Sequence, residues 1–171
     1  MLIILAGLPG VGKTTIAREL ARRLVAVHVH IDAIESAIRQ SPAHQDVPID
    51  GAGYLVGYAV AESNLRLGHT VIADSVNPWP LTRDAWKSVA DRAGVRAIEL
   101  EIVCSDAVAH ERRITSREPD PSGSRPVTWQ QVLARDYRHW HRDRTVIDTA
   151  SKTTDEAVEE VMAAISTRTG Q

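Results

Sequence analysis

The feature that most constrains this chain is an apolar run, residues 1–6 (MLIILA), followed without a gap by Gly7-Leu8-Pro9-Gly10-Val11-Gly12-Lys13-Thr14-Thr15. A continuous run of this kind suits a strand buried on both faces of a parallel sheet. The residues after it fit the phosphate-binding pattern G-x-x-x-x-G-K-[ST] at every fixed position, and residues 14–24 read as an amphipathic helix. Strand, glycine turn and helix in this order form a nest of inward-pointing N–H groups, backed by the positive end of a helix dipole. A nucleoside triphosphate is the expected occupant. Gly7, Gly10, Val11 and Gly12 wrap its β- and γ-phosphates in this reading, and Lys13 brings them a mobile positive charge. The Thr14 hydroxyl is placed for Mg²⁺, and Thr15 for the α-phosphate.

Composition narrows the rest. At 171 residues the chain is expected to form a single domain over 1–171, long enough for a full core. A formal net charge of −2 gives no general attraction to nucleic acid, so a polynucleotide partner is not favoured, although a local basic groove stays open. One cysteine, Cys104, cannot form an internal disulfide, and the apolar N-terminal run lacks the basic flank of a signal peptide. No apolar stretch approaches a membrane span. These points together suggest a cytoplasmic protein without a membrane partner. Oligomeric state is not legible.

Hydrophobic periodicity predicts further strands at 25–31, 69–74, 95–104 and 144–148. Helices are expected at 32–40, 51–67, 81–93, 106–117, 128–141 and 154–167, with turn-rich loops at 41–50, 75–80 and 118–126. The fold class is thus α/β: a five-stranded, mostly parallel sheet with helices on both faces and a small lid at about residues 112–127. In such sheets ligands bind at the carboxyl ends of the strands. Asp32 and Asp74 end the second and third strands and are expected to converge on the glycine loop. Asp32 suits a general base, and Asp74 a water-mediated magnesium contact or a second substrate contact; either could be the base. His28, His30 and Asp32 share one side of a strand, for which a metal site is one reading and a partly exposed sheet face the commoner one. Tyr54 and Tyr58 lie on one helix face and read as core more than as pocket. Arg113 and Arg117, one helical turn apart before a Pro/Gly loop, suit a lid over the phosphates. Arg39 is a candidate for contacting the acceptor.

The glycine loop combines with Ile31-Asp32 before a helix ending in Arg39, and with Val71-Ile72-Ala73-Asp74-Ser75-Val76-Asn77-Pro78 followed by Arg83. To these add Glu111-Arg112-Arg113-Ile114-Thr115-Ser116-Arg117 and Val146-Ile147-Asp148-Thr149. Taken together the chain resembles the small P-loop kinases, a group that includes chloramphenicol phosphotransferase, gluconate kinase, adenylylsulfate kinase and the 5′-hydroxyl polynucleotide kinase domain. The resemblance implies the P-loop NTPase fold and ATP- and Mg²⁺-dependent transfer to a hydroxyl of a small-molecule acceptor. It implies Asp32 as the base, Arg113 and Arg117 as lid arginines, and an adenine pocket that includes Arg113, Thr149 and Lys152. The acceptor is expected between Asp32, Arg39, Asn77 and Arg83. The stretch from Asp74 to Pro78, with Arg83 and Trp86 beyond, is closer to polynucleotide kinase than to gluconate kinase, which keeps a 5′-hydroxyl polynucleotide kinase as an alternative. A regulatory ATP-binding module without an acceptor is a third reading.

Overall fold

The structure is a computed structural model, and it describes residues 1–42, 51–116 and 126–169. The strands are β1 (Leu2–Ala6), β2 (Val27–His30), β3 (Val71–Asp74), β4 (Ala97–Val103) and β5 (Thr145–Asp148). They form one sheet in the order β2-β3-β1-β4-β5, parallel at every pairing. The helices are α1 (Lys13–Leu24), α2 (Ile31–Gln40), α3 (Ala52–Arg66), α4 (Pro80–Arg92), α5 (Ala107–Thr115), α6 (Trp129–Leu133) and α7 (Thr154–Thr169). This is the expected α/β architecture.

Every residue of β1 is buried, because alternate side chains feed two separate cores. Ile3 and Leu5 join Ile16, Leu20, Val158 and Val161 under α1 and α7. Leu2 and Ile4 join Ala61, Trp86 and Val89 under α3 and α4. The period-two alternation of strand side chains is what lets one central strand serve both layers. Between α2 and α3 the approach is close: a Cβ on Gly57 would lie 2.4 Å from Ile31 Cδ1, so the Ile31 side chain would have to give way. Tyr58 packs edge-on against Trp86 at 4.6 Å, in line with the core reading of that face.

One helix departs from expectation. Apolar spacing predicts a helix over 128–141, but α6 ends at Leu133 after opening with a capping box at Thr128 and Gln131. The backbone beyond it is claimed by tertiary partners. The Arg138 N–H donates to the Pro78 carbonyl at 2.8 Å, and the Arg138 and His139 carbonyls accept from the Arg83 guanidinium at 2.8 and 3.2 Å. Trp140 is buried against that same guanidinium, 4.2 Å from ring centre to Cζ. The segment then covers the outer part of the sheet with charge. Arg142 bonds both oxygens of Glu99 at 2.7 and 2.6 Å, and Arg144 bonds Glu101 at 2.7 Å. His139 and His141 are exposed, and neither is helical.

Candidate nucleotide-binding site

The chain leaves β1 through a turn that only glycine can make. Gly7 has φ +140, and a Cβ there would fall 2.2 Å from the Ile102 carbonyl oxygen. Gly10 and Gly12 also adopt positive φ, +84 and +100, where an L side chain is strained. Lys13 opens α1, and its ammonium donates to the Leu8 carbonyl at 2.8 Å, folding the side chain back over the loop.

A cavity of about 520 Å³ lies on this loop. Its lining includes Pro9, Gly10, Gly12, Lys13, Thr14, Thr15, Arg18, Asp32, Asp74, Ser75, Arg113, Thr149, Lys152 and Thr153. Residues from the ends of β1, β3 and β5 and from the starts of α1, α2 and α7 are thus brought together, in accord with the rule that open parallel sheets bind ligands at the carboxyl edge. Asp32 sits exposed in the first turn of α2, whereas Asp74 is buried at the end of β3.

The surroundings of Asp74 are built to keep it ionised. Burial alone would push its carboxyl up, but a hydrogen-bond contact with His28 and the nearby charges of His30 and Lys13 outweigh that and hold it below the usual carboxylate range. His28 Nε2 lies 3.1 Å from Asp74 Oδ2 and His30 Nε2 3.8 Å, with the two imidazoles stacked at 5.5 Å. The two histidines do share a face, as their spacing suggests, yet they bracket Asp74 and not Asp32. The register explains it: β2 lies beside β3 with His30 opposite Asp74, while Asp32 has already entered α2. Among the described residues no group of three His, Cys, Asp or Glu side chains could hold a metal ion by itself.

Arg113 reaches the far wall. Its guanidinium donates to Thr149 Oγ1 at 2.8 Å and to the Thr149 carbonyl at 2.7 Å, and Lys152 beside it is ion-paired with Glu160. Val11 is in the core, 2 % exposed, and contributes its backbone to the loop. Arg117 lies outside the described residues, as do residues 117–125 of the expected lid.

Three residues assigned to the acceptor do not line this cavity. Arg39 is bound to Glu35 at 2.8 Å, one turn back on α2. Asn77 is fully buried with φ +48, and its amide donates to the Leu5 carbonyl at 2.7 Å. Arg83 is 2 % exposed, its donors taken by the carbonyls of Asn77, Pro78, Arg138 and His139. Arginine after a strand-end loop reads as a substrate contact in sequence; here the guanidinium is a staple between two stretches of backbone. Conversely, His110 carries no motif, yet its Nε2 lies 2.7 Å from the Pro9 carbonyl. Its spacing three residues before Arg113 on one helix is the signal that could have found it.

With the geometry in place, comparison with known proteins gives the family. A model described as "AAA domain" matches residues 2–166. The chain belongs to this family of P-loop kinases. It is 31 % identical to a shikimate kinase of Frankia casuarinae, over 96 % of this chain and 72 % of that protein. In fold it is similar to the APS kinase of Mycobacterium tuberculosis in complex with AMPPNP and APS (TM-score 0.69, 18 % identity, 96 % of both chains). It is equally similar to Kti12 of Chaetomium thermophilum in complex with ADP-AlF3 (TM-score 0.69, 20 % identity, 96 % of this chain and 99 % of that one). The P-loop NTPase fold of this family is therefore shared over most of the chain.

Proposed function

We propose that this protein is an ATP-dependent kinase that transfers the γ-phosphate to a hydroxyl of a small-molecule acceptor. The observation that carries the reading is that Asp32, exposed on α2, lines the same cavity as Lys13 and the glycine loop. Phosphoryl transfer needs an anion nest for the donor, a cation that follows charge in the transition state, and a group to take the acceptor proton. The loop N–H groups and Lys13 meet the first two needs. Asp32 meets the third: as the acceptor oxygen forms its bond to the γ-phosphorus, the carboxylate takes the hydroxyl proton, and the β–γ bridging bond breaks to release ADP. Of the two carboxylates Asp32 suits the base better, because Asp74 is buried and one of its oxygens is engaged by His28.

The cavity also fits Mg²⁺, with the Thr14 hydroxyl and the ionised Asp74 as the protein groups beside phosphate and water, a donor set of hard oxygens. When bound, the ion would neutralise phosphate charge. Thr149, held by Arg113, and Lys152 would form the base-side wall.

The test is a screen with γ-labelled ATP over alcohols, nucleosides, aminoglycosides and oligonucleotides. We expect stoichiometric label on one small acceptor and none on oligonucleotides at low salt. Asp32→Asn should retain nucleotide affinity while transfer falls by at least about a hundredfold. Near-normal turnover by that variant would remove Asp32 as base. Slow hydrolysis with no acceptor labelled would favour a regulatory ATP-binding role, and labelled oligonucleotide a polynucleotide kinase.

A further inference from the structure

The glycine loop is gripped from outside, and we infer that His110 and Thr149 are positioning residues that aim its N–H groups at the phosphates. A carbonyl oxygen can only accept, so at 2.7 Å from Pro9 O the His110 Nε2 must carry the proton and donate. No peptide bond in the described residues is cis. In a trans peptide the C=O and the following N–H point in opposite directions. Holding the Pro9 carbonyl toward α5 therefore turns the Gly10 N–H to the opposite side, the side of the cavity that Gly10 lines.

The same logic applies two residues later. Thr149 Oγ1 lies 2.9 Å from Val11 O and 3.0 Å from Val103 O, sharing its one proton between them, while Arg113 donates to that oxygen at 2.8 Å. Fixing Val11 O turns the Gly12 N–H inward. Two peptide planes are thus set by side chains that arrive from α5 and from the end of β5. Glycine has no side chain with which to fix its own plane, so an outside donor is what selects one orientation at Gly10 and Gly12.

The donor is itself held. His110 is 6 % exposed, and the Trp129 ring meets it edge-on at 5.0 Å. Ile114, one turn on, occupies the space where a Gly10 Cβ would be, 2.5 Å from its Cδ1. The helix α5 therefore lies directly on the loop through His110 and Ile114, and through Arg113 by way of Thr149. An anion nest whose planes are preset binds without the cost of ordering them on arrival.

The inference rests on reading the cavity as a nucleotide site. It is tested by titration calorimetry with inorganic tripolyphosphate and with adenosine, two probes that separate the nest from the base wall. His110→Ala should weaken tripolyphosphate about tenfold and leave adenosine unchanged, and His110→Gln, whose amide can still donate to Pro9 O, should recover most of the loss. Thr149→Val should weaken tripolyphosphate about tenfold too, with Thr149→Ser close to the parent protein for that probe; this pair, read on tripolyphosphate alone because Thr149 also lies on the base-side wall, decides the matter if His110→Ala does not fold. Equal weakening of both probes by His110→Ala, or undiminished tripolyphosphate binding in either the alanine or the valine variant, would overturn the inference alone. Failure of the unmodified protein to bind tripolyphosphate would overturn the nucleotide reading and this inference with it.

Discussion

At the scale of single residues, environment redefines chemistry that residue type only suggests. Asp32 and Asp74 both end sheet strands in sequence, but one is solvated in a helix turn and the other is buried against two imidazoles. Tyr137 shows the same effect with a number attached. Burial pushes its phenol up to about 12, and Glu101 adds to that, although a bond from Trp140 opposes it. The folded value lies above the unfolded one of about 10. Its contribution to stability is therefore complete below pH 10 and lost as pH rises through 12. Burial raises the phenols of Tyr54 and Tyr58 as well, so spectrophotometric titration of the folded protein should show late ionisation of all three tyrosines, with the component near pH 12 missing in Tyr137→Phe. That variant should also lose part of the alkaline limb of the stability curve.

At the scale of elements, the stretch between α6 and β5 shows how a helical pattern yields to tertiary demand. Its apolar spacing is compatible with helix, but Arg83 offers four bonds to carbonyls, on Asn77, Pro78, Arg138 and His139, and a face to Tyr137 and Trp140. A helix over 128–141 would have tied the Arg138 N–H to the Ala134 carbonyl; here it donates to Pro78. Bonds to a charged donor in a buried site are among the stronger ones, and removing it leaves acceptors unsatisfied. Arg83→Ala should therefore cost about 3 kcal/mol, read as a lower urea midpoint. Hydrogen exchange at the Arg138 amide should rise more than at β1. If Arg83 were instead a substrate contact, stability and exchange would stay unchanged while acceptor affinity fell.

At the scale of the whole molecule, the cavity is assembled from the carboxyl ends of strands in both halves of the sheet, so occupying it ties those halves together. Among the described residues no helix is long and apolar enough to cross a membrane, and the buried apolar side chains gather in two cores on either side of β1. A ligand that binds only the folded state stabilises it by mass action, about 2.7 kcal/mol at a hundred times its Kd. For a chain of this size that is roughly 5–10 °C in Tm. Differential scanning fluorimetry with ATP and Mg²⁺ should show such a shift, and Lys13→Ala should abolish most of it. A shift of equal size in both proteins would place the ligand elsewhere.

The sequence by itself determined the strands and helices, the glycine loop, Asp74 at the end of β3 and Asp32 at the start of the helix after β2. These depend on local pattern: a run of six apolar residues, period-two and period-3.6 spacing, and glycines at positions that demand positive φ. The expected helix bounds agree with those observed to within a residue or two, α6 excepted. What the tertiary structure alone decided is which side chains meet. The parallel order β2-β3-β1 set His28 and His30 against Asp74. The packing of 137–140 on α4 turned Arg83 from a supposed substrate contact into a backbone staple. The seat of α5 on the loop gave His110 a carbonyl to hold. Such partners lie between 46 and 101 residues apart in the chain for the bonds of Asp74 and Pro9, beyond the reach of any local pattern. They form because a buried polar group must find a partner wherever the fold brings one.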